Sequence, residues 1–277
     1  MKESLGKLNN NNAQGEYYLT DCLELILKAG GKVEAVVAKD ADEFFGVNSR
    51  VTACGSCKNH EHRINRKHME SGVTLVDPEN TYIGSDVKNR YGYGDFARLC
   101  AGGAIRKSGR TAKSAPNSRL TDTKLGNGVK FQTSTAIESE IGNETTVGPF
   151  AYIRPNCHIG NRVKVGDFVE VKNSTIGDGT KIPHLSYVGD TDAGEKINFG
   201  CGSIMVNYDG KKKHRTTIED NVFVGCNVNL VAPVTVKKGS YIAAGSTITK
   251  DVPEDVLAVA RARQQVIEGW TKKRIER

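Results

Sequence analysis

Bulky aliphatic or aromatic side chains recur every six residues along the second half of this chain. They fall at Leu125, Phe131 and Ile137, resume after a short step at Ile141, Val147, Ile153, Ile159, Val165 and Val171, and continue at Ile176, Ile182 and Val188. A last run takes Ile218, Val224, Leu230, Val236, Ile242 and Ile248. A period of six fits neither a 3.6-residue helix nor an alternating strand. It fits a short strand plus a turn, repeated as one flat side of a triangular coil, with the aliphatic pointing inward and backbone hydrogen bonds running between coils. No unit buries its own residue, so stability comes from stacking. The expectation is a mainly β chain: a left-handed parallel β-helix of hexapeptide repeats over 120–252, with a polar, basic tail at 253–277. Breaks in the count at 208–215 and between Ile197 and Ile204 are expected as loops, which in solenoids gather on the binding face.

Upstream the pattern changes. CLELILKAG at 22–30 reads as a helix capped by Thr20 or Asp21 and closed by Gly30 and Gly31, and VEAVVA at 33–38 reads as a strand, so 1–50 is expected to be a small αβ remnant. A linker at 51–79 and first coils at 80–119 should follow. Two stretches break this plan. Residues 51–62, VTACGSCKNHEH, lack a helical apolar period, and 88–115 lose the hexads. Cys54, Cys57, His60 and His62 have zinc-like spacing, yet codons for 51–57 read one base over spell a helix former, QLAEAA. The stretch 88–115 likewise regains its hexads in another frame. Both are therefore read as frameshifted, and as written they are expected to pack poorly or form loops.

The chain has 277 residues, 38% of them hydrophobic, and a formal net charge of +7. Residues 88–115 hold Lys88, Arg90, Arg98, Arg106, Lys107, Arg110 and Lys113 against Asp95, which is six of those seven charges. The rest is nearly neutral and lacks aromatic-basic patterning, which argues against nucleic acid as a partner. There is no apolar run of membrane-spanning length, and MKESLGKLNNNN lacks a signal-peptide core, so the expected location is the cytoplasm. Cys157, Cys201 and Cys226 read as small packing residues or reduced thiols.

Four segments, KIPHLSYVGD, NFGCGS, VNYDGKKKHRT and NVFVGCNVNLVAPVTVKKGSYIAAGSTITKDVP, resemble the bacterial bifunctional enzymes that acetylate glucosamine-1-phosphate and couple the product to UTP. The resemblance runs over 119–270 and again over 8–50. It implies acetyl-CoA as cosubstrate, with His184 as general base and Glu170 as the carboxylate orienting its ring. It implies Arg154, Lys172, Tyr187 and Lys213 as sugar-phosphate ligands, with Asn198 nearby. Arg154 and Lys172 stand three hexads apart, which independently stacks them on one face. Asn207 and Tyr208 match residues beside the amine and the acetyl group. Cys201, Cys226 and Ala244 match acetyl-CoA contacts made largely by backbone; the family has Ala at the first position, and relatives have Ser at the second. Arg261 matches a residue that pairs with a coenzyme A phosphate.

The resemblance further implies a homotrimer with sites between chains, and a place in cell-wall precursor synthesis. Asn48, in GVNSR, matches a magnesium position of the uridyltransferase half, but one Asn does not hold Mg²⁺, so no uridyl transfer is expected. Two other readings keep the fold: a hexapeptide acyltransferase with another acceptor, or an inactive fragment.

Overall fold

A computed structural model describes residues 1–44, 46–87, 94–97, 99–100, 112–114 and 117–271, with no side-chain detail for 42, 94–97, 99–100 and 112–113. The chain divides into two compact units, Met1–Ser56 and Cys57–Arg277.

The described residues of the first unit include the helices α1 (Lys2–Leu5) and α2 (Asp21–Lys28). Helix α2 ends as its glycines dictate: Gly30 takes φ 76°, and the Gly31 N–H bonds the Ile26 carbonyl at 2.9 Å. Thr20 makes no side-chain cap. The strand expected over 33–38 does not form, and Val36 and Val37 are left almost fully exposed. A strand exists only by pairing, and none of the described residues of this unit forms one.

Contrary to expectation, the linker is helical from Arg50 to Glu70 (α3). Its start is fixed by a reciprocal cap, with Thr52 Oγ1 accepting from the Asn48 and Ser49 N–H groups and Ser49 Oγ from the Thr52 N–H. Asn65 is its one buried residue, donating to the Pro78 and Thr81 carbonyls at 2.8 and 2.7 Å, and the partly buried Ile64 packs against the core.

The second unit is the expected β-helix. Every strand pairs in parallel with its equivalent one coil on, as in Tyr152↔Glu170↔Tyr187 and Lys124↔Glu140↔His158↔Thr175. Each of the three faces contributes a column of inward residues, beside further buried ones such as Val129, Val163, Ile197 and Val222. One carries Phe131, Val147, Val165, Ile182, Phe199, Val224 and Ile242; the next Leu120, Ala136, Ile153, Val171, Val188, Met205 and Leu230; the third Leu125, Ile141, Ile159, Ile176, Ala193, Ile218 and Val236, all buried. Ala136 takes the place expected of Ile137, because a five-residue side shifts the strand's inward parity. Phe199 and Met205 fill the apparent gap after Val188, so the hexads never lapse there; Ile204 points outward.

Corners turn through left-handed residues stacked in columns. One column is Phe150, Phe168, Leu185, Gly202, Asn227 and Gly245; another is Glu138, Asn156, Asn173 and Asp190. Such φ values cost non-glycine residues roughly 1–2 kcal/mol each, and they persist because the inter-coil ladder over-determines them. Buried hydroxyls close the same corners from within: Ser174 Oγ donates to the Lys172 carbonyl and Ser186 Oγ to that of His184, both at 2.8 Å.

Strands Gly94–Ala97, Leu99–Cys100 and Ala112–Ser114 continue this ladder inside 88–115, where loops were expected. Inter-coil bonding is made by backbone and tolerates a lost side-chain pattern. Most of that stretch, including Lys88, Arg90, Arg98, Arg106, Lys107 and Arg110, lies outside the described residues. At the far end the ladder outlasts the expected stop: Leu257–Ala258 pairs with Tyr241–Ile242. Among the described residues no helix is long and apolar enough to cross a membrane.

Candidate active site

The strands Lys164–Lys172 and Lys181–Gly189 each run unbroken around one corner, from the first face to the second. That pair carries Glu170, Lys172, His184 and Tyr187 of the predicted site. At the corner His184 registers with Asp167, and its Nδ1 donates to Asp167 Oδ1 at 2.8 Å. The hydrogen bond from His184 holds the Asp167 carboxyl below its ordinary range. Glu170 is not the partner of His184. It lies farther along the strand, registers with Tyr187, and accepts from Arg154 Nη1 at 2.8 Å. The strand bends at Phe168 and Leu185, so Glu170 and His184 lie on opposite sides of the corner. Asp167 stands one coil back from His184, but that coil has seventeen residues, and a count of eighteen lands on Gly166.

Above His184 the same corner carries the residues matched to acetyl-CoA. Cys201 and Cys226 are both exposed, not packed; Cys157 alone of the three cysteines is buried. The Cys201 carbonyl accepts from Asn227 N–H, that of Cys226 from Gly245 N–H, both at 2.8 Å, and Ala244 O accepts from Arg261 Nη1 at 2.7 Å. His184, Cys201, Cys226 and Ala244 thus stack as one vertical track, with Arg261 bonded to its last carbonyl.

The second face carries a cationic cradle. Arg154 stacks on Lys172, following the pairs Ile153↔Val171 and Tyr152↔Glu170. Lys172 Nζ is 3.2 Å from Asp190 Oδ2, with side-chain exposures of 17% and 5%. Asp190 also accepts from Asn173 at 2.6 Å and Asn207 at 2.5 Å, and Asn207 donates to Tyr187 Oη at 3.2 Å. Burial raises the Asp190 carboxyl, but the bonds from Asn173, Lys172 and Asn207 outweigh it and hold the group below its usual range. Buried Asn207 belongs to this cradle rather than to the corner track.

Lys213 arrives from the loop at 208–215. There Asp209 Oδ1 accepts from the Lys211 and Lys212 N–H groups at 2.7 Å, and Oδ2 from His214 Nε2 at 2.7 Å. The Lys212 N–H, the His214 ring and the Lys211 N–H drive the Asp209 carboxyl far below the carboxylate range. Arg215 closes the loop on Asp192 and on the Asn173 carbonyl. The Lys213 ammonium is pushed down by the neighbouring Lys172 cation. Asp190 pairs with Lys172 and also acts on Lys213, and two adjoining amines set over a single carboxylate are suited to a phosphate dianion.

Three predicted residues stand apart. Asn198 registers with Lys181 and Phe223 on the first face, not with the cradle. Tyr208 is exposed and its hydroxyl donates back to the Gly210 carbonyl at 2.8 Å. Asn48 is exposed in the other unit, and among the described residues no three His, Cys, Asp or Glu side chains converge on a cation. The residues present do not make a magnesium site.

A model of bacterial transferase hexapeptide repeats matches residues 138–173 and 215–250. The chain is 53% identical over 273 residues to the bifunctional protein GlmU of Clostridium acetobutylicum, covering 98% of this chain and 59% of that protein. It is 51% identical over 280 residues to GlmU of Caldanaerobacter subterraneus subsp. tengcongensis, covering 100% and 60%. A solved UDP-N-acetylglucosamine acyltransferase from Arabidopsis shares 17% identity over 68% of this chain and 70% of that one, with a TM-score of 0.49. The chain spans about three-fifths of the length of the curated relatives it matches.

Proposed function

Because the chain is a relative of the bifunctional GlmU proteins over nearly its whole length, we propose that it transfers the acetyl group of acetyl-CoA to the amine of glucosamine-1-phosphate, in the cytoplasm and toward UDP-N-acetylglucosamine. The observation that carries this reading is the adjacency, around one corner, of a carboxylate-held imidazole and a cradle of Arg154, Lys172 and Lys213.

The sugar phosphate sits against the cradle with its amine toward His184. The free amine attacks the thioester carbonyl. The tetrahedral oxyanion is met by backbone N–H donors of the corner track, the Cys201 N–H among them. His184 Nε2, left free because Nδ1 is held by Asp167, takes the proton that the nitrogen sheds. The coenzyme leaves as a thiolate, and Arg261 pairs with a coenzyme phosphate.

Asn198 faces away from its own cradle, and exposed apolar residues on both site faces, Phe223 and Tyr241 on one and Tyr152 and Ile204 on the other, need covering. A homotrimer answers both, with Asn198 supplied by a neighbouring copy. Uridyl transfer is not part of this reading, since among the described residues no cluster of carboxylates accompanies Asn48.

The test follows free thiol release from acetyl-CoA. Release with glucosamine-1-phosphate and not with serine or maltose is expected. The opposite pattern moves the chain to another acyltransferase, and silence with every acceptor leaves an inactive fragment.

A further inference from the structure

Cys201 and Cys226 occupy equivalent places on successive coils. Register runs from Asn198↔Phe223 and Phe199↔Val224 to Gly200↔Gly225 and so to Cys201↔Cys226. The Gly200 N–H bonds the Val224 carbonyl at 2.7 Å and the Asn227 N–H bonds the Cys201 carbonyl at 2.8 Å, so that register holds through the corner. Neighbouring strands stand about 4.8 Å apart, within the roughly 4.4–6.8 Å between Cα atoms that a disulfide bridges. Both thiols are free and exposed, and the two cysteines hold the same place in stacked corner turns one coil apart. Neither thiol has a role in the acetyl transfer drawn above.

We propose that Cys201 and Cys226 form a cross-coil dithiol that exchanges with small-molecule disulfides and closes as an intrachain disulfide, shutting the corner track. One protein thiolate attacks the small disulfide, forming a mixed disulfide and releasing one small thiol. The second protein thiolate attacks the mixed disulfide, forming the Cys201–Cys226 bond and releasing the other. The protein loses two protons and two electrons, and the small disulfide is reduced to two thiols. A disulfide draws the Cβ atoms to about 3.8 Å, closer than strand spacing allows at rest. The closed form is strained, and reductants reopen it readily. Its effect on rate rests on the acetyltransferase reading, in which the thioester lies over Cys201; a shift on the order of an ångström there costs roughly 10²-fold.

The experiment treats the full chain with oxidised glutathione and maps its disulfides. Trypsin cuts after Lys196, Lys211, Arg215 and Lys237, so the two cysteines fall in separate peptides that a bond would join. Cys54 and Cys57, also exposed, are replaced by serine in a parallel sample so that no other exposed pair among the described residues explains a change. Expected are the linked peptide pair, a roughly 10²-fold fall in acetyl transfer, and recovery with dithiothreitol. In Cys226→Ser the ratio of oxidised to reduced activity should return to about one, whatever its starting rate. Absence of the linked peptides overturns the proposal, and so does a linked protein that keeps full rate. A linked protein that never transferred acetyl before oxidation instead overturns the functional reading and leaves the dithiol standing.

Discussion

His184 hands the hydrogen of Nδ1 to Asp167 Oδ1 over 2.8 Å, although seventeen residues of chain separate the two. One coil of the solenoid brings them together, and it fixes the tautomer that leaves Nε2 free for a substrate. Asp167→Asn should therefore lower kcat at least about tenfold, and His184→Ala roughly 10²–10⁴-fold with acetyl-CoA affinity nearly unchanged. Glu170→Gln should act instead on the KM for the sugar phosphate, through Arg154. Steady-state kinetics on the three variants separates the roles; a larger kcat loss in Glu170→Gln than in Asp167→Asn returns Glu170 to the imidazole.

Asp190 is the buried counter-ion of the cradle. Asp190→Ala strands Lys172, Asn173 and Asn207 at once, and the loss of one member of a buried pair costs about 3–5 kcal/mol. Urea unfolding measures it. The pH sign follows from the lowered carboxyl. Its stabilisation is complete above the unfolded-state value of about 3.9 and drains away as pH falls through the lower folded value. Wild type should lose more stability than Asp190→Asn on acidification below about pH 4; parallel acid curves would contradict this.

Asp209 organises the loop that delivers Lys213. Removing its charge in Asp209→Asn weakens the two backbone bonds and the His214 contact that shape the loop. The expected result is a rise of about tenfold or more in the sugar-phosphate KM, with that for acetyl-CoA unchanged. Equal rises in both would place the loop elsewhere in the cycle.

Phe199 lies inward with no accessible surface. Phe199→Ala should cost about 3–5 kcal/mol, as read by denaturant midpoint. A value below 1 kcal/mol would mean that this coil is not packed as described.

The hexads made the β-helix legible because one inward residue per side is a strong, local constraint. They failed where parity shifted. Ala136 is too small to register as a core residue beside Ile137, and Phe199 and Met205 were hidden by the loop that follows them. The strand expected over 33–38 failed for lack of a partner, which no local pattern reveals. Helix α3 was missed because an exposed helix needs no apolar stripe. Within the site, the stack of Arg154 on Lys172 was readable by counting coils. Asp190 was readable by the same count from Lys172, but Asp167 was not, because the coil between it and His184 has seventeen residues and a count of eighteen lands on Gly166. The Lys213 position was not, because it depends on how Asp209 folds an irregular loop.

The excursion at 208–215 leaves the wall after Val206 and rejoins at Thr216, where Thr191↔Thr216 and Ala193↔Ile218 resume the stacking. Nothing above or below has to adjust to its length. In the acetyl-transfer reading proposed above, the arm that delivers Lys213 is therefore modular: one arm could be traded for another, changing the acceptor, while the corner proposed for the thioester stays as it was.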